Sequence, residues 1–468
     1  MEADLAVDDR SGQSDTGLSR LWRSDIRPTL ALGLPLAGAQ IAQMAINTTD
    51  VLMIGRLGAE ELAASVLAFN MWMLLWFFGM GIIQAVIPLG AQARGRRAAR
   101  DLRRTVRMGV WVAVLYCLPA WCITFFAEEI LVALGQDPDI AEIAGGYMDA
   151  LQWSLLPALV IMAIRGFLTV MERSQIVLYA TLAGLVVNAA LDYVLIFGEF
   201  GFPRLELVGA GIASVFTSAA TTAILLIYTS RQRQLKRYAV LGRLWRSDWQ
   251  VFFKILRLGL PIGITLVAEG ALFAASSILM GWLGTIPLAA HGIALQLASI
   301  TFMVPVGLSQ AALSRVGYAA GKKDFDGVGR AGWTALVITV AFMSCFAVVF
   351  WIVPAPLVSL YLDLNNPQSA EVLYLATSFL AVAAIFQIVD GGQIIGTNNL
   401  RGLGDTTVPL IYAVIGYWVI GISLSLGLGF GAGLGGVGIW SGLAGGLAFV
   451  GILTNIRFYR RESLGLMS

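Results

Sequence analysis

Long apolar runs separated by short polar breaks dominate the chain. Twelve of them fall at about 28–54, 62–92, 106–134, 146–170, 176–198, 207–230, 252–282, 288–317, 329–360, 370–396, 407–428 and 433–456. Each is long enough to cross a bilayer as a helix of roughly twenty residues. Strands of a membrane barrel would instead alternate over about ten residues. The pattern therefore predicts an all-α polytopic membrane protein with twelve transmembrane helices.

The polar breaks alternate in charge. Arg94, Arg96, Arg97, Arg100, Arg103, Arg104 and Arg107 follow span two, and Arg231, Arg233, Lys236, Arg237, Arg243 and Arg246 follow span six. Lys322, Lys323 and Arg330 follow span eight, and Arg457, Arg460 and Arg461 close the chain. The breaks after odd-numbered spans hold only Arg56 and Arg204. Basic residues accumulate on the cytoplasmic side, so both termini are expected there, in an inner or plasma membrane.

The chain also repeats itself. LGLP stands at 32–35 and 258–261, an offset of 226 (258 − 32). At the same offset Gly55, Leu57 and Gly58 match Gly281, Leu283 and Gly284, and Gly81, Gln84 and Gly95 match Gly307, Gln310 and Gly321. RLWRSD precedes each copy, at 20–25 and 243–248. Six spans separate the copies, so both halves enter the membrane in the same direction, a parallel repeat about an axis along the membrane normal. The expected organisation is a cytoplasmic arm (1–27), a six-helix lobe (28–230), a cytoplasmic linker (231–251), a second six-helix lobe (252–456) and a cytoplasmic tail (457–468), the two lobes being pseudo-symmetric. Leu235, Leu241, Leu244, Trp245 and Trp249 suit either an interfacial helix in the linker or a solvated connection.

Composition agrees: 58% of residues are hydrophobic and only 13% charged, against about a quarter charged in soluble domains. The net charge of +2 adds little. No cleavable leader is evident before span one. Cys117, Cys122 and Cys345 form no metal motif or disulfide frame. His291 is the only histidine, which argues against a zinc site or a histidine triad built within the chain; an interhelical hydrogen bond is its expected role. No enzymatic activity, cofactor or nucleic-acid partner is expected.

Acids inside apolar spans are costly, about 2.5–3.5 kcal/mol each on insertion scales. Gln40, Gln43, Asn47 and Asp50 share one face of span one, as cavity-lining residues would. Asn188 and Asp192 are one turn apart on span five. Asp50 and Asp192 each lie six residues from the outer end of their span (56 − 50; 198 − 192). At about 1.5 Å per residue that permits one shared site. Two carboxylates and an amide suit Na⁺ or a shared proton, and Ser214 or Thr217 could add a hydroxyl; the alternative is a structural hydrogen-bond network. A second group is Glu269, with Thr265 on its face, and Asp390, preceded by Gln387; both lie near mid-membrane, where a carboxylate attracts organic cations. Neither acid has an evident buried Lys or Arg partner. The acids do not repeat, because Asp50 aligns with Ser276 and Glu269 with Gln43. Pro35 and Pro261 occupy equivalent places and either bend their helices or sit harmlessly in a first turn.

Together these segments resemble the multidrug and toxic compound extrusion (MATE) exporters. The resemblance rests on LGLP with Asp50 in TTDVLMIGRLGAEELAA, NAALDYVLIFG followed by VGAGIAS, Glu269 in LGLPIGITLVAEGALF, and LRGLGDTTVP after Asp390. It covers roughly 28–456. It implies a monomer of two six-helix lobes around a V-shaped cavity, exporting organic cations or amphipathic drugs by antiport with Na⁺ or H⁺. The family's first cation site then maps onto Asp50, Asn188, Asp192 and Ser214, with Na⁺ as one candidate ion, and its second-lobe carboxylates onto Glu269 and Asp390. Phe386 stands one turn before Asp390 where some members have tyrosine, which weakens a second-lobe Na⁺ site needing a phenol. A flippase of lipid-linked saccharides would want a basic cavity, and a prenyl-transfer enzyme would want clustered acids; the intramembrane charges read from the sequence are acidic and dispersed.

Overall fold

A computed structural model describes residues 22–236, 238–240, 242, 244–363 and 368–467. Twelve helices long and apolar enough to span a membrane follow one another: α1 (Ser24–Ile54), α2 (Ala59–Gly95), α3 (Ala99–Thr124), α4 (Pro138–Val170), α5 (Ser174–Phe197), α6 (Glu206–Arg231), α7 (Trp249–Leu283), α8 (Thr285–Lys322), α9 (Phe325–Ile352), α10 (Ser369–Gly402), α11 (Thr407–Gly431) and α12 (Gly435–Tyr459). Among the described residues there are no strands.

Several boundaries differ from the expected ones. α3 starts at Ala99, so Arg100, Arg103, Arg104 and Arg107 form its first turns rather than a loop. It ends at Thr124, and a short helix, Ala127–Ala133, replaces the expected continuation. α4 begins early because Asp137 caps it, accepting from the Asp139 amide, with Pro138 in its first turn. Most of the predicted arm, residues 1–21, and Arg237, Leu241 and Arg243 of the linker lie outside the described residues. The described end of the arm is helical and runs into α1. In the linker, Arg233–Lys236 forms a single turn, and Trp249 opens α7. Pro35 and Pro261 lie well inside their helices, so the first-turn reading fails for both.

The lobes meet where the repeat brings glycines together. A Cβ on Gly81 of α2 would lie 2.4 Å from the Gly263 Cα of α7. Its repeat-mate Gly307 of α8 lies against Ala37 of α1, where a Cβ would be 2.3 Å from the Ala37 nitrogen. Gly259 presses on Ile82 and Gly33 on Leu308, again a pair at the repeat offset. On the axis itself, Gly95 packs on Gly321. Only residues without a side chain let backbones approach this closely inside a bilayer.

These contacts are confined to the half of the molecule that carries the termini. The α2 face that packs on α7 at Gly81 continues through Phe77, Leu74, Asn70, Val66 and Ala63, and the last four are exposed. On α8 the equivalent run is Gly307, Met303, Ile300, Gln296, Gly292 and Ala289, with the same change from buried to exposed. The lobes are thus shut on the terminal side and part toward the other, leaving a cleft between α1–α2 and α7–α8.

Polar contacts reinforce the shut side, in duplicate. In the first turn of α1, the Asp25 carboxylate pairs across the lobes with Arg315 of α8 (3.6 Å) and Arg330 of α9 (3.8 Å). Before α7, its repeat-mate Asp248 pairs with Arg104 of α3, the residue equivalent to Arg330. The Asp248 carboxyl titrates below the ordinary carboxylate range. Its partial burial works in the opposite direction and is outweighed by the Arg104 hydrogen bond, the Val251 amide and the charges of Arg104 and Arg107. A lowered carboxylate stabilises above its unfolded pKa, about 3.9, and loses that contribution only as pH falls through its folded value. Any pH dependence near neutrality therefore arises elsewhere.

Candidate ion and substrate sites

In the first lobe Asp50 of α1, Asn188 and Asp192 of α5 and Tyr147 of α4 come together. One oxygen of Asp50, both of Asp192 and both polar amide atoms of Asn188 are buried without a hydrogen-bond partner. Such atoms are rare, because each carries the full desolvation penalty of about 1–3 kcal/mol, more for a charge. Of the two candidate hydroxyls on α6, Thr217 is buried with an unpartnered Oγ1 and packs beside Gly184, one turn before Asn188. Ser214 is only half-buried. The assembled groups, two carboxylates and an amide, offer hard oxygen ligands of the kind that suit an alkali ion or a proton.

In the second lobe Glu269 of α7, Asp390 of α10 and Tyr417 of α11 lie within electrostatic range of one another. Gln393 of α10 donates to the Tyr417 hydroxyl at 2.9 Å. The phenol that Phe386 does not supply thus comes from another helix. Tyr417 lies in a π-helical stretch, Ile415–Gly421, and such widened turns redirect side chains at functional sites. Phe386 instead packs edge-on against Phe273 and Trp440. His291 meets Ser276 at 3.3 Å, an interhelical contact between α8 and α7.

Several residues expected to line a cavity have other partners. Gln387 is buried and accepts from Thr301 at 2.9 Å, tying α10 to α8. The Thr265 hydroxyl is buried and donates to its own helix at the Pro261 carbonyl (2.8 Å). Gln40 accepts from Arg165 at 2.8 Å. Gln43 and Asn47 remain exposed on α1. Asn70 and Gln296, amides at the repeat offset on the two cleft walls, escaped notice in the sequence because each stands singly within an apolar run.

The intramembrane charges are not all acidic. Arg165 of α4 and Arg401 of α10 are buried, 8% and 4% exposed. Arg165 donates across the lobes to Gln310 of α8 (3.1 Å), and Arg401 to Gln84 of α2 (3.3 Å). The two acceptors are repeat-mates, so this clasp is duplicated as well. Arg401 also faces Glu269 electrostatically, which corrects the expectation that neither second-lobe acid has a buried basic partner. The sequence shows Arg401 only as a span boundary; its burial follows from α10 running on to Gly402.

The MatE family model matches residues 35–194 and 261–426. The probable multidrug resistance protein NorM of Rhizobium meliloti is 47% identical over 439 residues, 94% of each chain. The protein of the same name from Agrobacterium fabrum is 46% identical over 437 residues, 93% of this chain and 94% of that one. Among solved structures, a MATE transporter in the bent conformation superposes with a TM-score of 0.84 at 18% identity, covering 95% of this chain and 97% of the other. An outward-facing multidrug resistance MATE family transporter gives 0.83 at 19% identity, covering 96% and 98%.

Proposed function

Since the chain belongs to the MatE family of multidrug efflux transporters, we propose that it exports organic cations or amphipathic drugs by antiport, with Asp50, Asn188 and Asp192 as the ion-coupling site. The observation that carries this reading is the cluster of buried, unpartnered oxygens beside the cleft. Thr217 joins that site as a hydroxyl donor, with Ser214 at its margin. Na⁺ or H⁺ is the coupling ion, and it is cargo rather than a resident cofactor. Glu269, Asp390 and Tyr417 receive the substrate's positive charge or a second ion, while Gln43, Asn47, Asn70 and Gln296 offer amides to the substrate's polar groups.

With both termini in the cytoplasm, the cleft opens outward and the duplicated contacts are the inner gate. Ion binding in this outward state favours drug release, and exchange requires that ion and drug differ in relative affinity between the two states. In vesicles, efflux of ethidium or norfloxacin under a Na⁺ gradient is compared with efflux under a pH gradient. One gradient is expected to drive it; no efflux under either overturns the reading.

The gate makes its own prediction. Both carboxylates are largely buried while their arginines are partly exposed; at about 1 kcal/mol for each carboxylate removed, Asp25→Asn with Asp248→Asn shifts the inner gate toward opening by up to about thirtyfold. Spin labels at Ala63 and Ala289, after replacement of Cys117, Cys122 and Cys345, read the shift as a shorter distance across the cleft mouth. An unchanged distance in the double asparagine variant removes these pairs from the gate.

A further inference from the structure

The basic start of α3 carries more charge than the gate uses. At the repeat offset, Arg104 corresponds to Arg330, and both pair with the aspartate of the opposite lobe's first helix. Arg100, Arg103 and Arg107 correspond to Asp326, Gly329 and Trp333. The fold and its gate therefore require one arginine at this place, and the first copy has three more. Around Arg107 stand Arg103, Arg104 and Arg246 and a single carboxylate, Asp248, which Arg104 already pairs. Arg107 is 6% exposed, makes no ion pair among the described residues, and its Nε is buried without a partner.

Immediately deeper in the membrane lies an apolar groove. It has a volume of 440 Å³ and runs along the seam between the lobes, lined by Leu75 and Phe78 of α2, Val112 and Tyr116 of α3, and Phe252 and Leu260 of α7. Phe252 is one turn past Asp248, and Val112 just over one turn past Arg107, so the groove starts where the arginines end. Trp111 and Trp249 stand at the junction, edge to face at 6.5 Å, with the Trp111 indole donating to the Leu244 carbonyl at 2.7 Å. Tryptophans take up this level at the membrane–water boundary.

We propose that this seam binds an anionic phospholipid, its phosphate among Arg103, Arg107 and Arg246 and an acyl chain in the groove between α2, α3 and α7. Neither half of the site explains the other's chemistry alone. A free phosphate has no use for the groove, and a neutral lipid leaves the buried Arg107 Nε without an anion. Because the groove has walls from both lobes, a bound chain bridges them on the shut side.

The test is lipid binding to the purified full-length protein by native mass spectrometry, with phosphatidylglycerol, phosphatidylcholine and inorganic phosphate as probes. Phosphatidylglycerol is expected to bind more tightly than phosphatidylcholine, and inorganic phosphate is expected not to displace it. Arg107→Gln weakens phosphatidylglycerol about fivefold, and the half-buried Arg103→Gln, which places no demand on the core, weakens it similarly. Leu260→Trp fills the exposed end of the groove and produces a loss of the same kind with every charge intact. Equal binding of the two lipids, full displacement by inorganic phosphate, or wild-type affinity in Leu260→Trp each overturns the proposal.

Discussion

Asp50→Asn is expected to insert and fold normally and to lose all ion-driven export. Coupling free energies of about 1–3 kcal/mol correspond to roughly 5- to 150-fold stimulation, and the variant retains none of it. The same substitution is expected to leave thermal stability unchanged or slightly raised, because it replaces a buried carboxylate, one of whose oxygens is unpartnered, with a neutral isostere. This pairing of outcomes separates the two readings of the cluster. If Asp50, Asn188 and Asp192 merely tied helices together, asparagine would lower stability and spare coupling. Asp192→Asn follows the same logic from α5, and both are read by gradient-driven ethidium efflux beside a thermal melt in the same detergent. Full export by Asp50→Asn sinks the assignment.

Gly307→Leu carries the second large effect. Its first added carbon would lie 2.3 Å from the Ala37 backbone nitrogen, and backbone cannot move aside as a side-chain tip can. The terminal halves of the lobes are wedged apart, the outward state is lost, and export falls by about tenfold or more, a misfit of about 1.4 kcal/mol or greater. Gly81→Leu, 2.4 Å from the Gly263 Cα, gives the same result from the symmetry-related contact. Gly292→Leu is the control. It lies on the same face of α8, in the open part of the cleft, with nothing within 4 Å, and is expected to fold and transport like the parent unless it blocks substrate. A Gly307→Leu protein that exports at the parental rate shows that the lobes need not close here.

The helices and the duplication are legible because bilayer physics leaves few options. Every buried backbone group must be paired within its own segment, so an apolar run of sufficient length becomes a helix whatever its neighbours are. The repeat offset needs no structure to be seen, and it already isolates Asp50 and Glu269 as unrepeated. Boundaries were less legible where the polar and helical limits part company: Arg103 and Arg104 are charged and yet helical, because their side chains extend toward the surface while their backbone continues α3.

Side-chain partnership was legible only in part: His291 makes the interhelical contact expected of it, whereas most other partners could not be read from the sequence. Gln387 and Asp390 sit on one helix within a turn of each other, yet the first is a structural tie and the second part of a cluster. Which of them meets a hydroxyl from α8 depends on helix rotation, and rotation is set by packing rather than by spacing along the chain. Tyr417 was overlooked for the same reason: it reaches the second-lobe acids from a helix remote in sequence, through a local π-helical widening that sequence periodicity does not reveal. Arg401 looks like a span-end arginine, and Arg165 stands singly within span four; both are buried across the lobe interface.

By itself, then, the sequence determined the twelve membrane helices, their parallel duplication and the acids worth attention, since hydrophobic run length and repetition are properties of one dimension. Only the tertiary structure decided that Asp50, Asn188 and Asp192 lie together, that the glycine contacts shut one side and leave the other open, and that the surplus arginines of α3 stand over an apolar seam. Those facts depend on which helix faces meet. That is fixed by close packing between elements far apart in the chain, where a missing side chain or a single methyl group decides the approach.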